Sequence, residues 1–338
     1  MNIFFGEEAS AQLSILTNSY DKFFLLADEN VYEIYSSMIA SLLPEKEINK
    51  IILPSGEQSK NIENVILIWD KLIESKAGRD SLLINFGGGT ISDIGGFAAS
   101  CYKRGIDFVN IPTTLLAMVD ASIGGKNAIN FKNYKNQIGL FSEPKSIIIN
   151  PEFLKTLNKR DIYSGMAEIM KYAFIADESL MDLDIDNYLD FIKEAATIKD
   201  EIVNMDMKET GLRKILNFGH TIGHALESYY MERDNCLTHG EAVALGIYAS
   251  LYLSKKYCGL DDNWIMFYDL WFRGVYDYIT LSDLDVEKVF SYLSYDKKNK
   301  GGKPKFVLIS APEKPQIDVE VRDEDIKDAI LLLKDFYK

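Results

Sequence analysis

The chain has 338 residues, 37 of them Lys or Arg and 51 Asp or Glu, for a formal net charge of −14. That length suggests about two domains, and the 47% hydrophobic content excludes bulk disorder. An isoelectric point near 4.8 excludes a surface built for nucleic-acid phosphates, so an anionic small molecule would need a local basic pocket.

The N-terminal run MNIFFGEEASAQL puts Glu7 and Glu8 where a signal peptide would be apolar. β-rich runs follow at Phe23–Ala27, Lys50–Leu53, Ser81–Phe86, Phe108–Pro112 and Ser146–Asn150, with helical patterns between them. In Asn61–Ser75, Ile62, Val65, Ile66, Trp69, Leu72 and Ile73 are expected on one helix face. Such alternation predicts an α/β domain, a parallel sheet covered by helices. After Pro151 helical periods dominate from Asp161 to Tyr278, with one late β-like run at Phe306–Ser310, and Lys297–Lys305 (KKNKGGKPK) reads as a basic, glycine-rich loop. The expected organisation is an α/β domain over residues 1–150 and a mostly α-helical domain over 151–338, with the functional cleft between them. No run of about 18 apolar residues offers a membrane span. Cys101, Cys236 and Cys258 form no CxxC pair, which fits a reducing cytoplasm.

Two segments are glycine-rich. The strand Ser81–Phe86 runs into Gly87-Gly88-Gly89-Thr90 and then a helix, a turn whose bare N–H groups suit a pyrophosphate. Its spacing is not GxGxxG, and taken alone it is equally a tight turn in which Gly95 and Gly96 pack the helix on the sheet. Thr113 and Thr114 end another strand, followed by Asp120 and Gly124-Gly125-Lys126; these hydroxyls suit a phosphate or ribose.

The histidines carry the stronger signal. The chain has three, His220, His224 and His239, all within twenty consecutive positions. Leu216–Glu227 reads as a helix with His220 and His224 on one face, and Glu168 and Lys171 lie one turn apart in an otherwise apolar helix. A carboxylate with two imidazoles is a sound catalytic set for zinc, leaving the third imidazole for proton transfer. Spacing alone does not say which two histidines bind the metal.

These residues lie in a series of motifs that resembles 3-dehydroquinate synthase, of the sugar phosphate cyclase superfamily. The motifs are PSGEQSK, GGGTISDIGGFAASCYKRG, IPTTLLAMVDASIGGKNAIN, YKNQIGLF, FLKTL, SGMAEIMKY, GLRKILNFGHTIGHALE, HGEAVALG and DKKNKGGKPKFVL, in the family's order from about Pro54 to Leu308. The resemblance implies a Rossmann-like N-terminal domain that binds NAD and a helical domain that binds metal and substrate. The implied reaction converts 3-deoxy-D-arabino-heptulosonate 7-phosphate to 3-dehydroquinate and phosphate. It proceeds by transient oxidation at carbon 5, β-elimination of phosphate, reduction, ring opening and intramolecular aldol closure, a step of the shikimate pathway.

By the same resemblance Glu168, His220 and His239 hold a divalent metal (Zn2+ or Co2+), and His224 lies near the substrate phosphate. NAD is held by Glu57, Lys60, Gly88, Gly89, Asp93, Thr113, Thr114, Lys135 and Thr156. Substrate contacts come from Asp120, Lys126, Asn136, Lys171, Lys199, Arg213, Asn217 and Lys297, the last preferred to Lys298 because it follows Asp296. His224, Lys171, Lys126, Arg213 and Asn217 are the expected catalytic residues. Arg104 is similar to an arginine that reaches the phosphate from a neighbouring subunit, implying a homodimer. Asn127, Tyr134 and Ser92 stand where the family more often has Thr, Gly and Gly. A polyol or glycerol-phosphate dehydrogenase shares the two-domain layout, but a small neutral alcohol needs no cationic set such as Lys126, Lys171, Lys199 and Arg213. A non-catalytic paralogue would be expected to have lost some of these positions.

Overall fold

The computed structural model describes residues 1–43, 48–132, 134–231, 233, 236–281, 283–300 and 303–334, without the side chains of residues 7, 10, 41, 42 and 294–300. The chain divides into two compact units, Met1–Asn158 with Lys199–Lys208, and Lys159–Ile198 with Glu209–Lys338.

The first unit is built from β1 (Ile3–Phe5), α1 (Gly6–Asn18), β2 (Lys22–Asp28), α2 (Glu29–Leu42), β3 (Asn49–Leu53), α3 (Ile62–Glu74), β4 (Ser81–Gly87), α4 (Gly89–Cys101), β5 (Asp107–Pro112), β6 (Lys126–Phe131), β7 (Tyr134–Phe141) and β8 (Ser146–Ile149). Six strands form one sheet in the order β1-β8-β5-β4-β2-β3, and every pairing is parallel. Helices on both faces make these strands near-continuous apolar runs, and β4 is buried along its whole length. The core joins Phe24, Leu26 and Leu83 of the sheet to Val65, Ile68 and Leu72 of α3 and Ile91 and Ile94 of α4. Truncating one such Leu to Ala costs about 2–5 kcal/mol. From β2 the chain moves to one side, to β3, and from β4 to the other, to β5. The carboxyl ends of β2 and β4 are therefore a topological switch point, where open α/β sheets bind ligands, and the glycine turn lies there.

The second unit is mostly helical: α5 (Lys159–Ile175), α6 (Ile192–Met205, whose residues from Lys199 onward group with the first unit), α7 (His220–Tyr230), α8 (His239–Cys258), α9 (Asp262–Val275), α10 (Val286–Lys300) and α11 (Asp323–Lys334). An antiparallel pair, β9 (Lys305–Ile309) and β10 (Pro315–Glu320), completes it. Among the described residues no helix is long and apolar enough to cross a membrane.

Several expectations are corrected. From Lys126 the chain forms the β6–β7 hairpin, whose two strands were not among the expected β-rich runs. β1 and β10 gave no strand signal. On α3 the buried residues are Val65, Ile68 and Leu72, while Ile66 and Ile73 are exposed. The apolar arc of that helix is wider than the strip that packs on the sheet, so Ile66 and Ile73 fall at its edge and stay exposed. The run Leu216–Glu227 is not one helix: a 3₁₀ turn, Leu212–Asn217, is broken at Gly219 (φ +80°) before α7 begins. The expected basic loop is helical through Lys300.

Candidate active site

Within the second unit, three helices bring four chemistry-bearing side chains together. α5 carries Glu168 and Lys171 on one face, at 0% and 1% exposure. α7 begins at His220 and α8 at His239. His220 Nε2 and His239 Nε2 each lie 3.4 Å from Glu168 Oε1, and the Lys171 ammonium touches Oε2. Ligand atoms of Glu168, His220 and His239 all fall within 4.8 Å of one another. His220 Nδ1 lies 3.1 Å from the Phe218 carbonyl, which can only accept, so the proton sits on Nδ1 and Nε2 keeps its lone pair for a ligand. His239 Nδ1 likewise faces Glu227 Oε2 at 3.6 Å.

The helices come this close because glycine sits where they cross. A Cβ on Gly240 would lie 2.1 Å from the Ser164 carbonyl oxygen of α5, and one on Gly246 1.9 Å from that of Gly219. The N-terminus of α8 is fixed by a capping box, Thr238 Oγ1 accepting from Glu241 N and Glu241 accepting from Thr238 N. The buried Glu241 also accepts from Arg160 Nε (2.6 Å), Arg160 Nη2 (2.7 Å) and Tyr278 OH (2.8 Å). Burial pushes the Glu241 carboxyl up, but Arg160, the cap and Tyr278 outweigh it and hold it below its ordinary value.

The electrostatics call for a cation. Burial would raise Glu168, yet Lys171 and His220 hold it well below the carboxylate range. Burial would lower His239, yet Glu168 and Glu227 push it up to about 10. Neither Glu168 oxygen accepts a well-formed hydrogen bond from the protein, which is costly for a buried carboxylate. A buried carboxylate paired with Lys171 through one oxygen and facing two imidazole Nε2 atoms with the other fits a divalent metal of the zinc type, with room left for a substrate oxygen. His224 is the odd one out. Its side chain is exposed, with its ring 5.2 Å from that of His220 and 5.9 Å from that of His239, and it falls in a second possible group with Glu227 and His239.

In the first unit the two glycine- and threonine-bearing segments prove to be neighbours. β4 and β5 pair with Gly87 opposite Pro112, and Thr113 N donates to Gly87 O at 3.0 Å. Thr113 is buried and its hydroxyl makes no hydrogen bond within the protein. Gly88 caps α4 without a side-chain hydrogen bond, so the helix start is open to an anion. Gly95 also does packing work, since a Cβ there would lie 1.9 Å from Asn85 Oδ1. Lys60 pairs with Asp93, whose carboxyl burial pushes up to about 6 against the pull of Lys60. Glu57 accepts from Thr90 Oγ1 (2.8 Å) and Asn130 Nδ2 (2.9 Å). Thr156 meets Tyr35 OH at 2.6 Å, and Thr114 Oγ1 accepts from Ala117 N.

The remaining expected residues are placed but not all gathered. Lys199, nearly buried, pairs with Asp120 at 2.5 Å. Arg213 is buried on its 3₁₀ turn, and Asn217 Nδ2 donates to Glu209. Lys126, Asn136 and Arg104 are exposed and Lys135 is half-buried. The side chains of Lys297 and Lys298 lie outside the described residues. Sequence reasoning missed Asn127, which donates to Gly125 O (3.0 Å) and Ser142 O (2.7 Å) at the hairpin base. It also missed Asn130 and Glu227.

Comparison with known proteins agrees. Profiles for the 3-dehydroquinate synthase N-terminal and C-terminal regions match residues 50–164 and 165–299. A 3-dehydroquinate synthase of Parabacteroides distasonis is 38% identical over 94% of this chain and 92% of its own. Among solved structures, 2-epi-5-epi-valiolone synthase from Streptomyces hygroscopicus, bearing NAD+ and Zn2+, shares the fold at a TM-score of 0.87 and 24% identity, covering 99% and 96% of the two chains. Glycerol dehydrogenase from Schizosaccharomyces pombe superposes less closely, with a TM-score of 0.67 and 14% identity over 99% and 89%. The architecture is that of a sugar phosphate cyclase. The chain belongs to the 3-dehydroquinate synthase family.

Proposed function

We propose that this chain is a phosphate-eliminating carbon–oxygen lyase that converts 3-deoxy-D-arabino-heptulosonate 7-phosphate to 3-dehydroquinate and phosphate in the cytoplasm. The observation that carries the reading is the buried Glu168 carboxylate, contacted by Lys171 and facing His220 Nε2 and His239 Nε2. Glu168, His220 and His239 hold the divalent cation, and the glycine turn with Thr113, Lys60 and Asp93 holds NAD. When bound, NAD supplies reversible hydride acceptance at carbon 5, and the cation supplies polarisation of the substrate oxygens.

The chain's own residues do the rest. In the second unit the buried Lys171 and Arg213 are the cations assigned to the phosphorylated sugar acid, which an acidic protein must meet with local positive charge. Lys199, braced by Asp120, meets the substrate with its side chain already ordered. His224 lies outside the metal group of Glu168 and is the imidazole assigned to the phosphate and its proton. The leaving phosphate itself serves as base for the elimination. Asn217, anchored by Glu209, contacts the substrate with its side chain already ordered. Residues 1–150 are proposed as the NAD-binding domain and 151–338 as the metal- and substrate-binding domain. In the homodimer, the exposed Arg104 reaches the phosphate site of the neighbouring subunit.

The test is phosphate release by metal-loaded protein with NAD, read together with absorbance at the NADH wavelength. Release of phosphate with 3-dehydroquinate formed and no net NADH is expected. NADH accumulating without phosphate would assign a dehydrogenase instead.

A further inference from the structure

Asn130 stands between two segments of the first unit: one carries Glu57 and Lys60, which the resemblance gives to NAD, and the other carries Lys135, which it also gives to NAD, next to Asn136, which it gives to the substrate. Glu57 opens a 3₁₀ turn, Glu57–Ser59, and Lys60 caps it; this loop serves the dinucleotide. Lys135 and Asn136 lie in β7, where the β6–β7 register shifts between Ile129 and Phe131. Bulges of this kind re-aim side chains beside active sites.

Asn130, on β6, bonds to both loops. Its backbone N–H donates to the Lys60 carbonyl at 2.7 Å. Its Nδ2 donates to Glu57 Oε1 at 2.9 Å, and its Oδ1 accepts from the Asn136 backbone N–H at 3.0 Å. The orientation of the amide is forced, because a carboxylate only accepts and a backbone N–H only donates. Asn136 has a left-handed backbone (φ +55°), a conformation that Asn adopts at modest cost, and the bond to Oδ1 holds it there. Since Glu57 also accepts from Thr90 in the glycine turn, one line of hydrogen bonds within the first unit joins the glycine turn, Glu57, Asn130 and Asn136.

We infer that Asn130 is a positioning residue that transmits occupancy of the Glu57 loop to the backbone of Asn136, the residue of that segment assigned to the substrate. A ligand that immobilises Glu57 also immobilises the Asn130 amide, and with it the Asn136 backbone, so the substrate side meets a bulge already ordered. Such coupling is reciprocal and is commonly worth a factor of about 5–150 in affinity. The inference rests on the reading that the Glu57 loop holds NAD. A purely structural Asn130 would only close the bulge, and its loss would loosen the hairpin equally with and without NAD.

Hydrogen exchange read by mass spectrometry separates these, using the full metal-loaded chain with and without NAD, as wild type, Asn130→Ala and Asn130→Asp. The Asp variant keeps the size and the acceptor for Asn136 but loses the donor to Glu57 and repels it. In the wild type NAD is expected to slow exchange across residues 126–141 about tenfold. In both variants that slowing is lost while calorimetry still records NAD binding. Equal NAD-dependent slowing in the variants, or none in a wild type that binds NAD, overturns the inference. A wild type that binds no NAD overturns the functional reading first, and this one with it.

Discussion

Gly246 tests whether helix spacing sets the geometry of the metal group. It lies on α8 two turns after His239, where a Cβ would fall 1.9 Å from Gly219 O and 2.8 Å from Gly223 N. Ordinary contact begins at 3.4 Å, so in Gly246→Ala the first turn of α7 must retreat by about 1.5 Å. Both clashing atoms belong to backbone, so no rotamer change relieves them. Overpacking of this kind costs about 1–3 kcal/mol, and the better helix propensity of Ala returns about 1 kcal/mol. The net loss is about 0–2 kcal/mol, a shift of several degrees at most for a domain of this size. Metal ligands are less tolerant: their distances must hold to about 0.2 Å, and His220 would be displaced from His239 by several times that. The expected variant therefore folds but releases its metal. Dialysis against graded chelator followed by elemental analysis should show at least tenfold weaker retention, while calorimetry shows the metal-free melting temperature lowered only slightly. Wild-type retention in a folded Gly246→Ala protein would refute the claim that this crossing sets the ligand geometry.

Other outcomes follow from the same structure. Glu227→Ala should weaken metal retention about 10–100-fold by freeing Nδ1 of His239, with Glu227→Gln restoring part of it as a neutral acceptor, both read by chelator competition. Lys199→Met, which removes the ammonium paired with the half-buried Asp120 carboxylate, should cost about 1–2 kcal/mol in a denaturant titration. Glu241 has a depressed folded pKa, so its stabilisation is full above its ordinary value of 4.5 and is lost as pH falls through the folded value. The melting-temperature difference between wild type and Glu241→Gln should accordingly stay constant near neutrality and shrink on acidification; a difference that grew on acidification would reverse the assigned sign. The proposed homodimer with a shared Arg104 predicts that inactive Arg104→Ala and His239→Ala chains, mixed and reassociated, recover roughly a quarter of wild-type activity, the share of intact sites in random dimers.

What was legible in the sequence follows from where each residue spends its interactions. β2, β4 and β5 are buried on both faces, so their apolar runs announce them. β7 and β10 are mostly exposed, and a strand that buries few side chains leaves little period of two to read. The cluster of Glu168, His220 and His239 was legible because its residue types are scarce: three histidines, all in one stretch, and a Glu in an apolar helix. Asn127 and Asn130 were not, because Asn in a glycine-rich stretch is what any turn contains. Their meaning comes from partners distant in the chain, Ser142 for one and Glu57 for the other. The same holds for Gly246, which looks like any helical glycine until the Gly219 carbonyl is placed against it. Residues that touch a ligand are constrained by that ligand's chemistry, which a residue type can reveal. Residues that hold them in place are constrained by geometry alone, and only the folded chain supplies that.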